Sequence, residues 1–188
     1  LRQICNSPAL MKEGYSGDNA VKIEILMEQI LGKSKDHKIL VFSQFVGMLD
    51  LVKAELERHG ILFEYLTGQT KDRGLKVSNF QENEDIRVFL ISLKAGGVGL
   101  NLTKADYIYL IDPWWNPATE NQAIDRSYRI GQTKNVIAVR MICSNTVEEK
   151  IMTLQNKKKQ LAQNLLTTDK TKFQGLSKQD LLDLLESD

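Results

Sequence analysis

Ile86-Arg-Val-Phe-Leu-Ile-Ser-Leu93 runs without a break into Lys94-Ala-Gly-Gly-Val-Gly99. A short, nearly continuous apolar run fits a strand covered on both faces, as strands of parallel sheets are. The glycines directly after it mark a tight loop where backbone can approach a ligand closely. The same unit recurs on either side. Upstream, Lys38–Phe42 (KILVF) stops at Ser43-Gln44. Val46–His59 follows with Leu49, Val52 and Leu56 at helical spacing, and Gly60 as its stop. Ile61–Leu66 reads as a second strand turned off by Thr67-Gly68. A helix capped by Thr70 is expected to reach Gln81, with Leu75, Val77 and Phe80 facing inward. Downstream, Tyr107–Ile111 closes at Asp112-Pro113, Pro117 opens a helix to Arg129 ended by Gly131, and Asn135–Cys143 is a last strand. Strands alternating with helices predict βαβ units: an α/β fold with a parallel sheet and helices on both faces.

The flanks read differently. Asn19–Leu31 is an amphipathic helix ahead of the first strand, after a loop around Gly14–Asp18. Thr146–Leu166 reads as a long helix, capped by Thr146 with Glu149 three residues on, the spacing of a capping box. The expected division is 1–36 for lead-in helices, 37–145 for the sheet domain, 146–169 for the long helix, and 170–188 for a linker and a short helix over Ser177–Leu185.

Composition narrows the class. The 188 residues are 42% hydrophobic and 26% charged, with a net charge of +1, so nucleic acid would have to meet a local patch rather than a global field. No apolar run approaches the ~20 residues that span a bilayer, and no signal peptide is visible, so no membrane partner is expected. The chain opens on Leu-Arg-Gln-Ile-Cys, as an excised fragment would. Cys5 and Cys143 stand far apart, and His37 and His59 stand alone, which opposes a disulfide scaffold or a zinc site and suits an intracellular compartment.

In a parallel α/β sheet, ligands gather beyond the carboxyl ends of the strands. The polar and glycine-rich clusters Ser43-Gln44, Thr67–Gln69, Ser92–Asn101 and Asp112–Asn116 all fall there. Two phosphate-loop patterns fail on inspection. Gly32-Lys33-Ser34 lacks the upstream glycine, the position being Met27, and it follows a helix rather than a strand. Gly97-Val98-Gly99 begins a dinucleotide fingerprint whose third glycine position is Leu102. On Gln122–Gln132, an ideal helix would put Gln122, Arg126 and Arg129 at i, i+4 and i+7, an amide and two guanidiniums on one face suited to a phosphoryl group. By spacing alone, an exposed helix offset by Asp125 fits as well.

Seven blocks in order resemble the second RecA-like lobe of Swi/Snf-type ATPases of helicase superfamily 2. Lys38–Gln44 (KILVFSQ) is similar to motif IV, Leu66–Arg73 to the block after it, Ile91–Leu102 to motif V and Gln122–Gln132 to motif VI. Asp112-Pro-Trp-Trp-Asn-Pro117 resembles the family's Asp-x-Asp-Trp-Asn-Pro, with Trp114 in place of the usual acidic residue. Leu1–Leu10 resembles the segment leading into this lobe, and Thr146-Val-Glu-Glu149 the opening of its bracing helix.

That resemblance implies arginine fingers at Arg126 and Arg129, supported by Gln122, and a close backbone approach to ATP at Gly97 and Gly99. It implies contacts to the backbone of double-stranded DNA from Ser43, Gln44, Arg73, Ser92, Lys94, Gly96 and Trp115. Lys94 stands where the family often has Arg. ATP and Mg2+ would be held by a first RecA-like lobe of the same polypeptide, so the isolated lobe is expected to lack ATPase activity. The motor would act on duplex DNA and on DNA-bound proteins. The absence of a large insertion between motifs leans toward a prokaryotic protein of the cytoplasm or nucleoid; a eukaryotic one would be nuclear. A dinucleotide-binding domain and a nonenzymatic DNA-binding module are the alternative classes.

Overall fold

The computed structural model describes residues 2–11, 20–96, 100–114, 116–127 and 131–167, the side chains of 158, 159 and 161–167 excepted. Five strands, β1 (Ile39–Ser43), β2 (Phe63–Leu66), β3 (Val88–Ser92), β4 (Tyr107–Leu110) and β5 (Ile137–Arg140), form one sheet in the order β2-β3-β1-β4-β5. Every neighbouring pair is parallel, with Ser43 opposite Ser92 and Phe42 opposite Leu110. The α/β parallel-sheet expectation holds.

The continuous apolar runs have a direct physical cause. Successive strand side chains point to opposite faces, and both faces here are covered. Leu40, Phe42, Phe89, Ile91, Ile108 and Leu110 belong to one core; Ile39, Val41, Val88, Leu90 and Tyr109 belong to the other. Helices α2 (Val21–Lys33) and α3 (Val46–Arg58) supply Leu26, Met27, Ile30, Leu49, Val52 and Leu56 to the second core. Helices α4 (Arg73–Glu82) and α6 (Pro117–Ile124) supply Phe80 and Ala123 to the first. Two short elements, α1 (Arg2–Asn6) and α5 (Leu93–Gly96), and the long α7 (Val147–Thr167) complete the chain.

Gly60 ends α3 as its spacing indicated. Its φ is +66°, and the turn closes with Ile61 N–H donating to Leu56 O and Gly60 N–H to Glu57 O, the Schellman pattern that a left-handed residue permits. Gly47 serves a close approach, since a Cβ there would lie 3.1 Å from the Leu10 side chain of the lead-in segment.

Four local expectations are corrected. Thr70 does not cap α4: its hydroxyl accepts from Thr67 N–H within the preceding turn, and the helix starts at Arg73. Leu75 is 60% exposed rather than facing inward, while Phe80 on the same helix is fully buried. The helix from Pro117 stops at Ile124 rather than Arg129, and Asp125–Ser127 form a turn. Gln122 and Arg126 are therefore not presented on one helix face. Glu149 reaches back to Asn145 N–H, one residue before the expected capping-box partner, while Thr146 Oγ1 accepts from Glu148 N–H. The expectations at Gly14–Asp18, Gly97, Gly99, Trp115, Arg129 and Ser177–Leu185 lie outside the described residues.

Candidate functional site

The carboxyl ends of β1, β2 and β3 open onto a cleft of about 350 Å³ lined by Gln44, Val46, Thr67, Gly68, Gln69, Ser92 and Lys94. Three of the expected DNA-contact residues, Gln44, Ser92 and Lys94, thus share one cavity. The parallel register brings them together, because β1 and β3 end side by side at Ser43 and Ser92. Lys94 is exposed at the start of α5. Ser92 Oγ accepts a long bond from Ala95 N–H, 3.4 Å, which sets the turn into that short helix. Gly96 is the last residue of the same helix.

Ser43 is not among the residues lining this cleft. Its hydroxyl is fully buried, donates to Asp112 Oδ1 and accepts from Phe45 N–H at 3.0 Å. The bond to Asp112 ties the end of β1 to the segment after β4. Arg73 is likewise occupied locally, with Nε and Nη2 each 3.3 Å from the carbonyls of Thr70 and Gly68. It braces the turn that forms one wall of the cleft.

Asp112, named only as part of a polar cluster by sequence, organises the wall opposite. It is 1% exposed, and its second oxygen accepts from Gln44 N–H at 3.1 Å. Burial holds this carboxyl above its ordinary range, against the opposing pull of the Ser43 and Gln44 hydrogen bonds. Beyond it, Asn116 caps α6 by accepting from Ala118 N–H at 3.0 Å, with Pro117 in the first turn as expected.

Of the motif VI site residues, Gln122 and Arg126 are described. Gln122 is exposed on α6, whereas Arg126 is 5% exposed in the turn that follows. Arg126 O accepts from Leu102 N–H at 3.1 Å, fastening that turn to the residues after the glycine loop. Ser92 thus lines the cleft, and Leu102, further along the chain, meets Arg126.

Sequence reasoning missed Glu120. It is fully buried in the first turn of α6, accepting from Trp114 N–H at 2.6 Å, Arg140 Nε at 2.7 Å and Gln155 Nε2 at 3.2 Å. It also missed Lys22, 5% exposed, which Glu148 holds with both oxygens. For Glu120 the only local signal is an acidic residue in a helix's first turn, which dipole compensation explains as readily; Lys22, in the first turn of α2, opposes the dipole and is held by Glu148 instead. Among the described residues, no three His, Cys, Asp or Glu side chains gather as a metal site would require. The buried carboxylates of Asp112 and Glu120 are already committed to donors of the chain itself. No helix among the described residues is long and apolar enough to cross a membrane.

Comparison with known proteins agrees with this layout. Residues 21–131 match the helicase conserved C-terminal domain family. Protein CHROMATIN REMODELING 24 of Arabidopsis thaliana is 44% identical over 161 residues, which are 85% of this chain and 14% of that protein. An uncharacterized ATP-dependent helicase of Mycoplasma pneumoniae is 38% identical over 191 residues, covering 99% of this chain and 18% of the relative. The chain thus spans less than a fifth of these relatives. The crystal structure of the C-terminal part of the Fun30 ATPase domain superposes with a TM-score of 0.70 at 36% identity, covering 81% of this chain and 52% of that one. These matches set aside the dinucleotide-binding alternative. The chain belongs to the helicase conserved C-terminal domain family, as the second RecA-like lobe of the Swi/Snf-type ATPases.

Proposed function

We propose that this chain is the second motor lobe of an ATP-driven translocase on double-stranded DNA, working against a first RecA-like lobe of the same polypeptide. The observation that carries the reading is a pair of contacts on one stretch of chain: Ser92 lines the cleft, and Leu102 N–H bonds Arg126 O. A motor needs such a connection between its grip and its phosphate-sensing groups.

On the DNA side, Gln44, Ser92, Lys94 and the backbone at Gly96 grip phosphates, and Trp115 also contacts the duplex. Arg73 and Ser43 hold the two walls. Amide, hydroxyl, ammonium and backbone donors hold phosphate without reading bases, which suits stepping along any sequence. On the nucleotide side, Arg126 and Arg129 act as arginine fingers, Gln122 supports them, and the backbone of Gly97 and Gly99 approaches the phosphates. Arg126 is 5% exposed, and a guanidinium fork that starts from a packed position has less side-chain freedom to lose when charge builds on the transferring group. Magnesium falls to the first lobe. Closure of the two lobes brings the guanidiniums to ATP and shifts the cleft relative to the first lobe's grip. Repeated cycles move the protein along duplex DNA and displace DNA-bound proteins.

The test is DNA-stimulated ATP hydrolysis by the full-length protein, wild type against Arg126→Ala and Arg129→Ala. Turnover should fall by about 10³ or more with DNA binding kept. The 188-residue chain alone should hydrolyse no ATP above background. Unchanged turnover in the Arg126 variant, with duplex binding intact, would point instead to a nonenzymatic DNA-binding module. Robust hydrolysis by the isolated chain would overturn the two-lobe mechanism.

A further inference from the structure

The segment that follows β4 is held by side chains from outside the sheet domain. The Ile111 carbonyl accepts from Lys22 Nζ at 2.8 Å. The Pro113 carbonyl accepts from an Arg2 guanidinium nitrogen, and the Trp114 carbonyl from Gln155 Nε2. These donors stand on α2, α1 and α7, which flank the sheet domain in sequence on both sides. Loops after strands ordinarily find partners within their own turn or in water. Here three carbonyls in a row of four residues answer to the flanking helices instead.

The α7 face that does this is regular. Glu148, Ile151 and Gln155 lie at i, i+3 and i+7, and each is 5% exposed or less. Gln155 supplies one carbonyl donor directly, and Glu148 supplies the counter-charge of another, Lys22. Gln155 also shares Glu120 with Trp114 N–H, so Trp114 is held at both its backbone groups. Between these anchor points sits Asp112, whose carboxylate holds Ser43 and Gln44 N–H at the cleft. A shift of α7 would reach Gln44 through four hydrogen-bonded groups without passing through Arg126.

We propose that Arg2, Lys22 and Gln155 form a collar of positioning residues, which fixes segment 111–114 and couples the brace helix α7 to the DNA grip at Gln44. The coupling role rests on the motor reading above; the positioning role does not. The collar sets how far the grip moves per ATP, not whether ATP is hydrolysed.

Gln155→Ala and Arg2→Gln in the full-length protein test it, since each removes one carbonyl donor and leaves the Lys22–Glu148 pair intact. Amide exchange across residues 111–116 should rise about tenfold, the loss of roughly one hydrogen bond's worth of protection, with the rest of the lobe at wild-type rates. ATP consumed per base pair translocated should rise several-fold while DNA-stimulated turnover is retained. Wild-type exchange at 111–116 in both variants overturns the proposal, as does a uniform rise across the lobe, which marks simple destabilisation. Local exchange that rises with ATP per base pair unchanged removes the coupling role. A wild-type protein without DNA-stimulated hydrolysis would sink the motor reading instead, and the exchange pattern would still decide whether the collar exists.

Discussion

Lys22 Nζ lies 2.7 Å from both carboxylate oxygens of Glu148, with the two side chains 5% and 0% exposed. The pair joins residues 126 positions apart and ties the helix before the sheet to the helix after it. Glu148 also accepts from Cys143 N–H at 2.9 Å, and Lys22 donates to Asn6 Oδ1 at 3.1 Å, so every charged atom has partners. Removing one member strands the other in the interior. Glu148→Gln or Lys22→Met should each cost about 3–5 kcal/mol of stability, read by urea unfolding of the 188-residue chain. The double variant Lys22→Met/Glu148→Leu should lose distinctly less than the two single losses combined. Simple additivity would mean that the pair does not act as a unit.

Two glycines predict opposite signs. Gly60 holds φ +66° at the end of α3, so Gly60→Ala forces a Cβ into the left-handed region and should cost about 1 kcal/mol. Gly74 lies within α4 at ordinary helical geometry, with open space where a Cβ would go. Gly74→Ala should therefore stabilise by about 0.5 kcal/mol, mainly by restricting the unfolded chain. Thermal or denaturant midpoints of the two variants check both; equal shifts in one direction would contradict the backbone assignment.

The sheet was legible because its strands are buried on both faces and so read as apolar runs, as in Leu40–Phe42 and Phe89–Ile91. The end of α6 was not. The Ile-Asp-Arg-Ser stretch from Ile124 continues a helical pattern, yet Arg126 N–H bonds to Ala123 O and Ser127 N–H to Ile124 O, tightening the chain into a turn. What decides this is a distant partner, since Arg126 O must meet Leu102 N–H. The same holds for Glu120 with Arg140 and Lys22 with Glu148. Long-range pairing of charges leaves no periodic trace in a single sequence. Motif order named Gln44, Ser92 and Lys94, which line one cleft, but it carried no sign that the adjacent Ser43 faces inward to Asp112.

Asp112 makes a pH prediction. Its carboxyl keeps its proton to higher pH in the folded chain than in the unfolded one, because burial outweighs its hydrogen bonds. The folded state is then the stronger proton binder, so this group's contribution to stability falls as pH rises from about 4 through the raised folded value. Asp112→Asn cannot ionise, and any hydrogen bond it misplaces is a constant offset. The stability of wild type relative to Asp112→Asn should therefore decline as pH is raised from about 4, the ordinary carboxyl value. Urea unfolding of both proteins across that range checks the slope; a difference that is flat or grows in favour of wild type would show that the hydrogen bonds outweigh burial.

The cleft makes the last prediction, because its proposed role is electrostatic and local. Lys94 stands exposed on the cleft at the carboxyl edge of the sheet, whereas Lys134 precedes β5 at the opposite edge, near Asp106 at 3.3 Å. A lysine that neutralises one phosphate releases counterions on binding, so its removal should lower the slope of log affinity against log salt by about 0.9. Lys94→Gln should do this on duplexes of any sequence and weaken binding evenly across them, since an ammonium on a phosphate reads no base. Lys134→Gln changes the net charge equally but lies away from the cleft, and it should leave the slope unchanged. Binding of the full-length protein, titrated over a range of salt on two unrelated duplexes, separates the cases. Equal slope changes in both variants would mean that DNA responds to the charge of the whole lobe. A slope change confined to Lys134→Gln would move the DNA path to the other edge of the sheet, and the cleft would need another occupant.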